Sequence, residues 1–205
     1  MGSRILISLA GLFLVLLACL VVYLFAAPRP IDTTDPSIFL KDGRRLDYCR
    51  LPLLDDSGAM ARDIPKAYTP DCGHQGLSMP VLASCTESLS KGSVDMRGLW
   101  QGVTGRIGHL ERIEQCGDRV VVTAAGLIHD FRVDGTLKNG ARDVNPPFCM
   151  NFSTAVHFDE GGTMVFRPFN LIDAVSRRLS GEELIFTYLD GVETRMKRIC
   201  SYPSN

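Results

Sequence analysis

The chain has 205 residues, with 22 Lys and Arg against 23 Asp and Glu, for a net charge of −1. That length holds one modest domain plus an anchor. Nothing in the balanced charge points to the basic face that a nucleic-acid partner requires, so no nucleic-acid partner is expected.

The segment Ile5 to Ala27, ILISLAGLFLVLLACLVVYLFAA, carries no charged residue. It is long enough to cross a ~30 Å hydrocarbon core as a helix. Arg4 precedes it and Pro28-Arg29-Pro30 stops it. A cleaved signal peptide would have a shorter apolar core and a small-x-small cleavage site, and Leu24-Phe25-Ala26-Ala27 is a poor one. A lipoprotein signal would place a lipidated Cys19 after Leu16-Leu17-Ala18, but the apolar run continues past it through Phe25. The favoured reading is an uncleaved single-pass signal anchor over residues 5–27. Arg4 and Arg29 nearly balance in the positive-inside count. The short N-terminal tail before a large domain then sets the orientation: residues 1–4 cytoplasmic, and the domain exported from the cell (inner) membrane to the periplasmic or extracellular side.

Cysteine usage fits export. Beyond Cys19, the chain holds Cys49, Cys72, Cys85, Cys116, Cys149 and Cys200. Six cysteines in an exported domain are candidates for disulfides, in any of fifteen connectivities. No pair has Cys-x-x-Cys spacing and no histidine lies at finger spacing, so neither a metal nor a cofactor is expected.

Residues 28–94 are rich in Pro, Gly, Asp and Ser, which is too irregular for a long helix or a clean sheet. Asp42-Gly43 suggests one short hairpin there. Its three cysteines suggest a linker that is tied down as a wrap. From residue 95 to 200 the texture changes to eight or nine short β-type runs. They are punctuated by Gly117-Asp118, Asp134-Gly135, DEGG, Ser180-Gly181 and Asp190-Gly191. Turns at intervals near ten residues read as an antiparallel meander, closing as a sandwich or an up-and-down barrel. Residues 201–205 form a tail.

Period-two alternation assigns faces. Leu127, His129, Phe131 and Val133 share one. So do Phe152, Thr154, Val156 and Phe158; Met164 and Phe166; Leu184, Phe186 and Tyr188; and Val192, Thr194, Met196 and Arg198. These sets are mostly apolar and point inward.

Gly98-Leu99-Trp100, with the only tryptophan of the chain, opens the first strand of this meander. In that setting it resembles the first signature of the lipocalin and calycin superfamily. The resemblance covers residues 95–200, at the compact, avidin-like or fatty-acid-binder end of that group, and lacks the family's second, Thr-Asp-Tyr type turn. It implies an all-β fold: a small antiparallel up-and-down barrel, here preceded by one N-terminal transmembrane helix. It also implies that Trp100 sits at the closed end with a basic residue of the last strand laid across it. The face assignment selects Arg198 over Arg195 and Lys197. The passage from MRGLWQG to VDGTLKNG further resembles uncharacterised membrane-anchored or secreted bacterial proteins, which implies a cell-envelope location.

His129, Phe131, Phe152, Met164, Phe166, Phe186 and Tyr188 are the candidate lining of an interior pocket. Arg142 to Cys149, stiffened by Pro146-Pro147, is the candidate lid at the open end. Glu111, Arg112, Glu114, Asp118 and Arg119 read as a solvated, charged sheet face. No serine or cysteine sits in a nucleophile elbow, so catalytic residues are not expected. The leading expectation is a membrane-anchored binding module for a small apolar ligand or an envelope partner. The alternative is a structural or accessory protein of a membrane complex whose barrel is fully packed. An enzyme using the barrel pocket comes third.

Overall fold

The computed structural model describes residues 11, 15–17, 51–69, 77–124, 127–145 and 150–199. The chain divides into two units, Met1–Ile31 and Asp32–Asn205. In the first, Gly11 and residues 15–17 are helical. Among the described residues no helix is long and apolar enough to cross a membrane. The rest of the expected anchor lies outside them, as do Cys19, the hairpin expected at Asp42-Gly43 and the tail.

In the second unit the described residues are β-structure and irregular chain, with one 3-10 turn at Ala61–Asp63. Ten strands follow in order: β1 Gly98–Gly102, β2 Leu110–Cys116, β3 Arg119–Ala124, β4 Leu127–Arg132, β5 Ala141–Asn145, β6 Met150–Phe158, β7 Met164–Pro168, β8 Val175–Ser180, β9 Glu183–Thr187 and β10 Glu193–Arg198. They form one antiparallel up-and-down sheet, β4-β3-β2-β1-β10-β9-β8-β7-β6-β5. The first strand meets the last, with Trp100 opposite Arg198 and Gly102 opposite Met196. The two edges, β4 and β5, approach at the end where β4 stops. There the Arg132 amide donates to the Asn139 carbonyl (2.8 Å) and the Gly135 amide to the Val156 carbonyl (2.9 Å). The sheet is thus a nearly closed barrel.

The sequence suggests eight or nine strands because Ala141–Asn145 reads there as loop and lid. Instead it pairs with β6, from Ala141 opposite Thr154 to Asn145 opposite Met150. Gly140 permits this pairing, since a side-chain carbon there would meet the Thr154 carbonyl oxygen at 2.0 Å. Residues 146–149 lie outside the described residues.

The inward faces follow the alternation. Trp100, Ile113, Val120, Val122, Phe131, Val156, Met164, Phe166, Leu184, Phe186 and Met196 form one continuous core, with Val133 and Phe158 packed on it.

The outer face of β2, β3 and β4 departs from expectation. Arg112, Glu114, Arg119 and Asp130 are buried, whereas the reading of a charged, solvated face is kept only by half-exposed Asp118. The cause is the irregular segment before β1, which lies across this face. A second core joins Ala61, Leu82 and Cys85 of that segment to Cys116, Val121 and Ile128 of the sheet. A disulfide, Cys85–Cys116, fixes the contact. Irregular chain carries backbone donors and acceptors without ladder partners, and these must be satisfied when buried. The charged side chains of the sheet supply the partners. Glu114 accepts from the amides of Val81 (3.2 Å) and Leu82 (2.8 Å), and Asp130 from the amide of Ala67 (2.8 Å). Arg119 donates to the carbonyls of Ala61, Ile64 and Pro65, and Arg112 to that of Ser78. Arg119 also pairs through two nitrogens with Asp130, at 2.9 and 2.6 Å.

Candidate functional site in the barrel and at its ends

Because the strands alternate in direction, the hairpin connections sort to two ends. At one end lie the start of β1 and the end of β10. There the Arg198 guanidinium carbon sits 4.5 Å from the centroid of the Trp100 ring. The indole nitrogen donates to the Met96 carbonyl at 2.9 Å, so the one polar atom of the ring is satisfied in a buried position. Gly98 explains the first half of the Gly-x-Trp motif. Its φ is +146°, and a side-chain carbon there would lie 3.1 Å from Arg198 Nε. The glycine leaves the corridor along which the arginine stem crosses to the indole.

Above this floor the interior is filled. Phe131 and Phe166 meet edge to face, with ring centroids 5.1 Å apart. Met164, Leu184 and Met196 are fully buried beside them. One ion pair crosses the interior between strands that are not neighbours. Arg177 of β8 donates to both carboxylate oxygens of Glu111 on β2, each at 2.7 Å. The Arg177 guanidinium carbon also lies 4.8 Å from the Phe166 ring centroid and 4.9 Å from that of Phe186. His109 stacks on Phe186 at 5.6 Å, with Nε2 3.7 Å from Glu111. Burial alone would raise the Glu111 carboxyl. The charge and hydrogen bonds of Arg177, with a smaller contribution from His109 at 3.7 Å, outweigh burial and hold it well below the usual carboxylate range. Each Glu111 oxygen accepts one hydrogen bond from Arg177.

The residues expected to line a pocket therefore separate. Phe131, Met164, Phe166 and Phe186 are core side chains packed within one cluster. His129 is half-buried on β4, opposite Val122. Phe152 is half-buried beside Phe169, ring centroids 6.2 Å apart. It borders an open depression of about 480 Å³ with Tyr68, Thr69, Arg142, Asn151 and Ser153. Tyr188 is exposed beyond Phe186, beneath the Arg106 guanidinium at 5.2 Å. Of the six candidate disulfide cysteines, Cys85 and Cys116 are joined; Cys49, Cys72, Cys149 and Cys200 lie outside the described residues. Among the described residues no group of three His, Cys, Asp or Glu side chains is placed to hold a metal ion.

Arg177 and His109 escape a sequence reading, and Glu111, read there as part of a solvated face, is buried inside the barrel because Arg177 pairs with it, though one signal points to it. LERIEQC has no clean apolar face, since Glu111, Ile113 and Gln115 alternate with Leu110, Arg112, Glu114 and Cys116. A strand polar on both faces and still β-forming needs polar partners on both sides, and β2 is buried on both.

The end of the barrel opposite Trp100 carries the connections 103–109, 169–174 and 188–192. They expose Ile107, Phe169, Leu171, Ile172, Leu189 and Val192. The turns at the Trp100 end are built from Gly117-Asp118, Asp134-Gly135-Thr136, Asp159 to Thr163 and Gly181-Glu182. Among the described residues the exposed large apolar side chains of the barrel connections thus gather at the end opposite Trp100, while Ile199 is exposed at the Trp100 end. No family model matches the chain, and neither a curated protein nor a solved structure does.

Proposed function

We propose that this chain is a lipocalin-like barrel, anchored in the cell membrane by residues 5–27 and exported, that serves as a non-catalytic accessory module working through its surface. The observation that carries this reading is the packed interior. Trp100, Phe131, Phe166, Phe186 and the Glu111–Arg177 pair occupy the volume where a small apolar ligand would lie. Such ligands need an enclosed pocket of roughly 300 Å³ or more lined by convergent groups, and the depression of about 480 Å³ beside Phe152 is open and bordered largely by polar side chains. The Trp100–Arg198 closure supports the lipocalin-like assignment, and the uncharged run Ile5 to Ala27 supports the anchor.

The test is native mass spectrometry of the full chain extracted in mild detergent, with titration by a fluorescent fatty acid. The expected result is a bare protein mass and no saturable probe binding. A small molecule retained at one per chain, or saturable binding lost on enlarging a core side chain (Val122→Phe), would overturn the reading.

A further inference from the structure

We infer that the end of the barrel opposite Trp100 rests in the surface of a lipid bilayer, with the connections 103–109, 169–174 and 188–192 dipping into it. This rests on the reading of residues 5–27 as a membrane anchor. The first support is where the exposed apolar side chains lie. Ile107 is 79% exposed, Leu171 72% and Leu189 64%, one on each of three separate connections at the same end. Scattered surface apolar residues are ordinary; a set concentrated at one end marks a contact surface. The tips come from different hairpins. A fluid apolar phase accommodates such tips individually.

The second support is how one tip is built. Phe169 and Asn170 both have positive φ, 52° and 58°, a conformation that side chains other than glycine rarely adopt and that persists at functional loops. Hydrogen bonds hold it: the Phe169 amide donates to the Ser153 carbonyl, and the Leu171 amide to the Pro168 carbonyl. Leu171 and Ile172 are thus presented by fixed backbone.

The third support is charge. The acids on these connections are Asp173 and Asp190. Arg167 holds the first at 2.9 Å and Arg106 the second at 2.7 Å. Each carboxylate approaches the headgroups already paired, so anionic phosphates are not repelled and the contact is apolar in character.

The experiment uses the full chain reconstituted in phosphatidylcholine vesicles with and without brominated acyl chains. It compares Ile107→Trp and Leu171→Trp with Lys138→Trp at the opposite end. Trp100 is buried and contributes a constant background. The expected result is that all three variants float with the vesicles, and that the emission added at 107 and 171 is blue-shifted and mostly quenched by bromine while that at 138 is unchanged. Raising salt to 1 M should leave the quenching in place. Flotation with no quenching at 107 and 171 would overturn the inference and leave the anchor standing. Failure to float would overturn the anchor and the inference with it.

Discussion

Arg198 lies over the indole of Trp100 because Gly98 has no side chain to stop it. The guanidinium carbon is 4.5 Å from the ring centroid, and a methyl at Gly98 would come within 3.1 Å of Arg198 Nε. The contact adds a side-chain tie between the last strand and the first, whose backbones already pair in the middle of the sheet. Gly98→Ala must strain its backbone as well as displace the arginine, since φ is +146°. Arg198→Ala should cost ~1–2 kcal/mol, the value of a shielded cation–π contact, and Trp100→Ala ~3–5 kcal/mol, that of an emptied aromatic core site. Urea denaturation of the single variants and of the Trp100→Phe/Arg198→Ala double variant checks this. An Arg198→Ala cost that is unchanged when Trp100 is already replaced would show that the two residues do not interact.

Glu111 gives the barrel an acid-sensitive interior. Its folded value is depressed below its ordinary one near 4.5 by Arg177 and His109, which outweigh burial. The stabilisation this adds is therefore fully present above the unfolded value and is lost as pH falls toward the folded one. Glu111→Gln should be destabilised at pH 7, and its gap from the parent chain should narrow steadily below about pH 4.5. Glu111→Ala should cost ~3–5 kcal/mol, because it leaves the Arg177 guanidinium buried without its partner. Replacing both, as Glu111→Leu with Arg177→Met, should recover most of that loss. Thermal melts across pH 3–7 read all three. A Glu111→Gln gap that is constant with pH would refute the linkage.

What the sequence made legible is what local chemistry decides. The glycine turns sit at positive φ at Gly117, Gly135, Gly181 and Gly191. The inward faces follow from period two, and Arg198 is selected over its neighbours by parity alone. What it concealed depends on what covers each face. Arg112, Glu114 and Arg119 look like a wetted face because alternation reports which side a residue points to, not what lies there. Their partners are carbonyls and amides of residues 61–82, which have no sequence signature. Strand β5 was hidden for a related reason: ARDVN has a weak β pattern, and it pairs because Gly140 lets the chain approach Thr154 closely. The Glu111–Arg177 pair spans 66 residues and links strands that are distant in the sheet, a distance no periodicity encodes.

The disulfide should stabilise the wrap more than the barrel. Cys85 and Cys116 are separated by 31 residues, and closing a loop of that size is worth ~3–4 kcal/mol in the chain-entropy view. Cys85→Ala with Cys116→Ala should lower global stability by about that amount. It should also accelerate amide exchange at Leu82, Cys85 and Thr86 more than at Val122 or Leu184. Equal acceleration at all of these would mean that the wrap and barrel unfold as one unit and that the bridge has no local role. Mass shifts on alkylation before and after reduction count the bridged thiols directly.

Glu114 tests whether the buried charges of the outer face exist to serve the wrap. One carboxylate accepts two consecutive amides, Val81 and Leu82, and also meets Arg112 Nε at 3.3 Å. Glu114→Gln keeps the shape but turns one acceptor end into a donor that faces another donor. It should cost ~1–3 kcal/mol, the penalty of an unsatisfied buried group. Glu114→Ala should cost more, because Arg112 also loses its carboxylate and is left with neutral acceptors such as the Ser78 carbonyl. If these groups serve the wrap, the same substitutions should be nearly neutral in a chain whose wrap is already released by loss of the Cys85–Cys116 bridge and by Leu82→Asp. In that background the face is open to water and the amides it served are solvated. The measurement is a double-mutant cycle by urea denaturation: a large cost in the intact chain and a small one in the released chain. Equal costs in both would place the worth of Glu114 within the sheet, in its pairing with Arg112, and not in its contact with the wrap.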